Sequence, residues 1–374
     1  MQFIDLAAQQ NRIRDRIDSR IATVLDHGVY IMGPEVVEFE EALADFSGAK
    51  NVVTCANGTD ALLLALMAWG VQSGDAVFVP SFTFAATAEV VPCMGAVPVF
   101  VDIDPRTFNM ASDSLRHAIA HVLEIGLRPA AVIPVDLFGL PADYDLITEI
   151  ACAHEMPILA DTAQGFGGIY KGSPSGTLGD VASTSFFPAK PLGCYGDGGA
   201  LFTGDDDLAE HLRSLRVHGK GSDKYDNVRI GQNSRLDTLQ AAILLEKLAI
   251  FTDELDARQR VADRYTSALS NRVTTPFVPD GLRSAWAQYT LKSETTADRS
   301  LIMAGLKEQG IPTGIYYPKP LHQQTAYGGF PIDPEGLPVT EDLAQRVFSL
   351  PMHPYLSEAD QDRIIDVLNS LLPE

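Results

Sequence analysis

Between residues 50 and 205 the chain alternates short apolar runs with helical patterns, and this alternation limits the fold more than any other feature. The runs NVVTC, AVFVP, VPVFVD and AAVIPVD are each followed by a helix-like stretch, respectively DALLLALMAW, TAEVVPCM, SLRHAIAHVL and YDLITEIACAH, and PILAD comes next. A strand that is apolar on both sides is covered on both sides, and a single helix between two such strands returns the chain so that they run in the same direction. The pattern therefore predicts an α/β fold with a mainly parallel sheet. Two further runs, VASTSFF and GALFTG, follow Asp161 with turn-rich sequence and no helix between them, and they complete the sheet.

Helical periodicity returns in DDLAEHLRSLRV and in the long stretch from Leu236 to Leu269, which is long enough to link two units. Beyond it lie AWAQYTLK, read as a strand, and helices near 298–309 and 357–372. The expected organisation is a large domain over 1–254, including the amphipathic N-terminal segment, and a smaller α+β domain over 255–374. The N-terminal segment packs on either unit.

With 49 acidic and 28 basic residues the formal charge is −21, which repels nucleic acid phosphates and anionic lipid surfaces. No nucleic acid or membrane partner is expected. An anionic small molecule is still allowed, because a pocket can be locally positive or built from backbone donors. The opening MQFIDLAAQQNRIRDRI has no apolar stretch of signal-peptide length, and no run reaches membrane-spanning length. A cytoplasmic location is expected. The four cysteines are widely spaced without a CxxC pair, so reduced thiols are the default and neither a disulfide framework nor a structural zinc site is indicated.

In open α/β sheets ligands gather at the carboxyl ends of strands, so polar residues that directly follow apolar runs carry the functional reading. In CANGTDALLLAL a strand ends at Cys55 and a helix starts near Asp60; the intervening Gly58 and Thr59 allow a phosphate to reach the free N–H groups of the helix start. A helix capped by Thr59 or Asp60 explains the same residues. In PILADTAQGFGG, Asp161 ends a strand where a carboxylate needs a cation, such as a protonated ring nitrogen, unless it is only a turn or cap residue. In SFFPAKPLGCYGDGG, prolines on both sides stiffen the chain around Lys190, and the following glycines allow a tight path past a planar ligand. A lysine held away from water has a depressed pKa and is able to form an imine; the alternative is a solvent-exposed turn lysine, which accounts poorly for Phe186, Phe187 and Pro188. Ser185 can donate a hydrogen bond to an anion. Together with the aromatic-bearing SFTFAAT, these parts match pyridoxal 5'-phosphate, a cofactor that pairs a lysine Schiff base with an Asp at its pyridinium nitrogen.

These segments, with GPEVVEFEEALADFSGAKNVVTCANGTDAL, VFVDIDPRTFNM, NSRLDTLQAAIL, YYPKPLH and SLPMHP, resemble the DegT/DnrJ/StrS group of pyridoxal-phosphate-dependent sugar aminotransferases over nearly the whole chain. The resemblance implies fold type I, with a seven-stranded large domain. It implies Lys190 as the Schiff-base lysine and proton shuttle, Asp161 at the ring nitrogen and Gln164 near the ring oxygen. Gly58, Thr59 and Ser185 would bind the phosphate, and Phe84 would stack on the ring. Asn233 would reach the phosphate of a neighbouring subunit, which implies a homodimer with shared sites. Arg235 would lie near the sugar, with Tyr316, Tyr317 and His322 as further substrate contacts; packing in the small domain is the other reading for Tyr317 and His322. Ser234 and Tyr316 stand where many relatives have Tyr and His. The implied reaction moves an amino group from L-glutamate to a keto nucleotide sugar, with a UDP-linked 3-keto uronic acid for O-antigen synthesis foremost and another UDP- or dTDP-linked 3-keto or 4-keto sugar as the alternative.

A dehydratase of the same fold is disfavoured, since those relatives replace the lysine by His. A non-catalytic regulator has no need of Lys190, Asp161 and Ser185 together. No metal site is expected. His117 and His121 lie four apart on a helix face without a third ligand, the acids at 205–207 suit a helix start, and Cys194 reads as a lining residue rather than an activated thiolate.

Overall fold

The computed structural model describes residues 1–223 and 225–372. Two helices, α1 (Leu6–His27) and α2 (Pro34–Ser47), precede the first strand. The alternating region then forms β1 (Asn51–Cys55), α3 (Gly58–Ala68), β2 (Asp75–Pro80), α4 (Ala86–Cys93), β3 (Val97–Val101), α5 (Ser112–Glu124), β4 (Arg128–Val132), α6 (Tyr144–Ala153) and β5 (Leu159–Asp161). A short hairpin, β6 (Ile169–Tyr170) and β7 (Ser173–Pro174), leads into β8 (Val181–Ser185) and β9 (Gly199–Thr203).

Strand β2 pairs in parallel with β3 and β4, and β5 pairs in parallel with β8. Parallel bridges from Val132 to Ile158 and from Val135 to Asp161 join these two halves. Strand β9 runs antiparallel between β8 and β1. The order is β3-β2-β4-β5-β8-β9-β1, a seven-stranded sheet with one reversed strand. Its period-2 alternation sorts each strand between two cores. Val52, Phe78, Val99 and Val101 face a cluster with Phe39, Ile147 and Phe251. Val53, Val77, Val79 and Phe100 face the opposite cluster with Leu62, Leu66 and Leu212.

Helix α7 (Asp206–Leu215) is followed by α8 (Thr238–Leu269), which passes straight through the junction expected at 254. It gives Phe251 and Leu255 to the first cluster, and Val261, Tyr265 and Leu269 to a third. The third cluster belongs to the C-terminal part, where β10 (Leu282–Arg283) pairs with β6, and β11 (Tyr289–Lys292) pairs antiparallel with β12 (Val347–Leu350). Around these pack α9 (Thr296–Glu308), α10 (Pro338–Arg346) and α11 (Glu358–Leu371). The N-terminal helix lies on α8, with Ile13 and Ile17 against Ile243 and Ile250 and the Gln9 amide donating to both oxygens of Glu254.

AWAQYTLK is strand only from Tyr289 onward. Trp286 takes a positive φ of 50°, and the N–H groups of Ala285 and Gln288 donate to the carbonyls of Gly139 and Phe138 rather than to a sheet neighbour. No helix among the described residues is long and apolar enough to cross a membrane.

Candidate active site

A cavity of about 900 Å3 opens where β1, β5 and β8 end. The start of α3 forms one wall. Asn57, in extended conformation, caps the helix by accepting the Asp60 N–H at 2.8 Å, so the helix begins at Gly58, two residues before the expected start. The cap is thus neither Thr59 nor Asp60. The first-turn N–H groups of Gly58 and Thr59 have no intrahelical partner, and both residues line the cavity. Ser185, at the end of β8, stands beside them: a Cβ on Gly58 would lie 2.6 Å from the Ser185 Cβ. Only glycine lets the helix start come this close. Gly58→Ala is therefore expected to displace the α3 start and cost about 1–3 kcal/mol of cofactor binding, measured as a raised Kd when stripped protein is titrated with pyridoxal phosphate.

Lys190 follows a tight turn in which its own N–H donates to the Phe187 carbonyl at 2.8 Å. Its side chain lines the cavity and is half-buried. The surrounding protein lowers its pKa by removing water, an effect that the nearby Asp161 opposes. Asp161 is 5 % exposed. One carboxylate oxygen accepts the Thr87 hydroxyl at 2.8 Å and the other the Ala163 N–H at 3.2 Å. Burial raises its pKa, while these two hydrogen bonds and Lys190 oppose the rise. Gln164 accepts the Phe138 N–H at 2.8 Å and donates to the Tyr317 hydroxyl at 3.1 Å, which holds two predicted residues in one geometry; burial also raises the Tyr317 pKa. Phe84 lies on the lining and is 56 % exposed, as a ring waiting for a planar partner would be. Tyr316 lines the same space.

Three expected contacts lie elsewhere in this chain. Asn233 is exposed and bridges Val217, and Arg235 is half-buried; neither lines the cavity. The His322 ring bonds Ser81 Oγ at 2.7 Å and Glu341 at 3.1 Å, also away from the lining. Ser234 is buried, and its hydroxyl accepts the Ala56 N–H, so it supports the end of β1 from within. Cys194 is likewise buried behind the lining rather than in it. Its thiol donates to the carbonyls of Phe186 and Gly196, and burial pushes its pKa up to about 11. Asp205 caps α7 and Asp206 pairs with Lys50 at 2.7 Å, the helix-start role expected of these acids.

Thr87, Asp197 and Gln288 line the cavity without having been singled out from the sequence. For Thr87 a signal existed: Thr83 and Thr87 in SFTFAAT are four apart, and their hydroxyls lie 3.2 Å from each other. Pyridoxal phosphate fits this set. Gly58, Thr59 and Ser185 offer donors to a phosphate, Lys190 offers an amine, and the buried Asp161, met by neutral donors and the distant charge of Lys190, suits a protonated ring nitrogen.

The profile of the DegT/DnrJ/EryC1/StrS aminotransferase family matches residues 11–369. The chain is 51% identical over 360 residues to the UDP-2-acetamido-2-deoxy-3-oxo-D-glucuronate aminotransferase of Pseudomonas aeruginosa, covering 96% of this chain and 97% of that one. The crystal structure of a DegT DnrJ EryC1 StrS aminotransferase from Brucella abortus superposes with a TM-score of 0.98 at 56% identity, over 100% of both chains. NtdA from Bacillus subtilis, solved with the cofactor PMP bound, superposes with a TM-score of 0.90 at 30% identity, over 99% of this chain and 85% of that one.

Proposed function

Because the chain belongs to the DegT/DnrJ/EryC1/StrS aminotransferase family, we propose that it transfers an amino group from L-glutamate to UDP-2-acetamido-2-deoxy-3-oxo-D-glucuronate, giving the 3-amino sugar. The observation that carries this reading is the meeting of Lys190, Asp161, Gly58, Thr59 and Ser185 in one cavity, in a chain half-identical to an aminotransferase for that sugar.

Pyridoxal phosphate, when bound, supplies a carbonyl that exchanges one amine for another and a ring that takes up the electron pair left on carbon when a proton departs. Gly58, Thr59 and Ser185 would anchor the phosphate through the start of α3 and a hydroxyl. Asp161 would keep the proton on the ring nitrogen, and Thr87 fixes the orientation of that carboxylate. Gln164, held by Phe138 and Tyr317, would support the ring, and the exposed Phe84 would pack against it. Lys190 Nζ would tether the cofactor and, as a free amine, would carry the proton away from the donor carbon and back; its lowered pKa favours the neutral amine that this needs. With the keto sugar the same groups act in reverse order.

The active unit in this reading is a homodimer. Val29, Tyr30, Ile31 and Met32 form an exposed apolar run, joined to the α8 start by a bridge from Ile31 to Asp237. A second copy covering that run would bring Asn233 and Arg235 to its partner's cavity, which explains their absence from their own. Tyr316 and Tyr317 are assigned to the sugar side, and His322 to support of that wall through Ser81.

The test is to incubate cofactor-loaded protein with L-glutamate and a panel of UDP- and dTDP-linked 3-keto and 4-keto sugars, with mass spectrometry of the products. The UDP 3-keto uronate is expected to yield the amino sugar together with 2-oxoglutarate. Return of every keto sugar unaminated would refute the reading.

A further inference from the structure

We propose that Lys247, with Gln240 two turns before it on the same face of α8, is a positioning residue for Lys190: it fastens the loop that carries the amine and so sets where that amine meets the cofactor. This rests on the transamination reading above. The loop closes on itself. The Lys190 N–H donates to the Phe187 carbonyl at 2.8 Å, and the Cys194 N–H and thiol both donate to the Phe186 carbonyl, at 2.8 and 3.0 Å. A Cβ on Gly193 would lie 2.6 Å from the carbonyl oxygens of Phe187 and Pro188, so the two arms approach as closely as a glycine permits. Phe186 and Leu192 seat the base of the loop in the first apolar cluster, a contact without direction.

Direction comes from α8. Lys247 is 1 % exposed, and its Nζ donates to the Gly193 carbonyl at 2.6 Å while standing 4.1 Å from the centre of the Tyr195 ring. The peptide unit between Gly193 and Cys194 is thereby held at both ends, its carbonyl by Lys247 and its N–H by the Phe186 carbonyl. Gln240 accepts the N–H of the next peptide unit, that of Tyr195, at 2.9 Å. Residues two turns apart on a helix share one face, so a single surface grips two successive peptide units just beyond Lys190.

A buried ammonium at this place calls for a reason. Burial lowers the Lys247 pKa to about 8, against the opposing pull of Cys194 and Glu254. It makes no ion pair among the described residues, and Glu254, two turns further along α8, is occupied by the Gln9 amide and the Tyr355 hydroxyl. An apolar side chain of like size would fill the space without that desolvation. It would supply neither a donor for the Gly193 carbonyl nor a cation over Tyr195. Lys190 depends on that geometry, since misplacing a reacting group by about 1 Å costs about 10^2-fold in rate.

Binding and bond formation separate a positioning role from a structural one. Pyridoxamine phosphate carries an amine in place of the carbonyl and so occupies the site without joining a lysine, whereas pyridoxal phosphate first binds and then joins Lys190 with a change in absorbance. Stripped wild-type and Lys247→Met proteins are mixed with each. Lys247→Met is expected to slow bond formation with pyridoxal phosphate about tenfold or more, with the Kd for pyridoxamine phosphate within about threefold of wild type. Gln240→Leu, expected to act in the same direction, takes its place if the first variant folds poorly. In the loaded variant the limiting rate of the glutamate half-reaction should fall about tenfold, with half-saturation changed less than about threefold. A wild-type rate of bond formation in the folded variant would overturn the proposal, as would pyridoxamine phosphate binding weakened in step with that rate, since this marks a general loosening of the site. Wild-type protein that forms no bond with pyridoxal phosphate would instead refute the transamination reading itself.

Discussion

Lys190→Ala is expected to reduce amino transfer by about 10^4-fold or more, because in the proposed mechanism one substitution removes both the amine that tethers the cofactor and the base that moves the proton. The loss should appear in each half-reaction measured alone. Borohydride reduction of the wild-type protein should fix the cofactor on the peptide that contains Lys190, and the variant should give no labelled peptide. The side chain is half-buried in a cavity wall and makes no ion pair among the described residues; its removal takes one distant charge from Asp161, which keeps its hydrogen bonds from Thr87 and Ala163, so the melting temperature should stay near that of wild type. Activity within tenfold of wild type would remove Lys190 from the centre of the mechanism.

The second large effect is expected for Asp161→Asn, at about 10^2 to 10^3-fold in kcat, comparable to the loss of one preorganised electrostatic contact at a reacting centre. The substitution preserves shape. The amide oxygen can still accept the Ala163 N–H, and the Thr87 hydroxyl can turn to a new partner, so the change is chiefly the loss of a negative charge. Burial already works against that charge and raises the Asp161 pKa. In the proposed mechanism a cationic ring nitrogen would offset the desolvation, and the carboxylate would in return keep the nitrogen protonated. A cofactor analogue methylated at the ring nitrogen carries its charge permanently, and should restore part of the activity in Asp161→Asn. Absence of any rescue, with cofactor still bound, would point to a structural role for the aspartate.

The sheet was legible because its strands are short and apolar on both faces, a pattern that helices of comparable length do not share. Phe78 and Val79, adjacent in sequence, end in different cores, as period-2 alternation requires. Lys190, Asp161, Ser185, Gly58 and Thr59 were legible for a related reason: each stands just after an apolar run, and the topology brings those run ends to one side of the sheet. The start of α3 was misplaced by two residues. The side chain of Asn57, in extended conformation, takes the Asp60 N–H and releases Gly58 into the helix, whereas Thr59 and Asp60 are equally good capping types in the string of letters. The strand expected from Ala285 was cut short by tertiary contacts with Phe138 and Gly139, which lie far back in the sequence. Gln288 was invisible for the same reason. An amide in a strand-like run says nothing of its environment until a distant segment places it beside a cavity. Asn233 and Arg235 show the converse limit, since residues marked by a motif need not face the site of their own chain.

Helix α8 runs for 32 residues without a glycine or a proline, with Phe251 stacked on Phe166 near its middle and Tyr265 against Tyr289 towards its C-terminal end. Such a rod fastens the sheet to the C-terminal part and resists bending between them. The reaction chamber is then expected to behave as a fixed aperture rather than a closing jaw. Discrimination among sugars falls on the shape and polarity of the opening, and amide exchange along Thr238–Leu269 should be the same whether or not a nucleotide sugar is present.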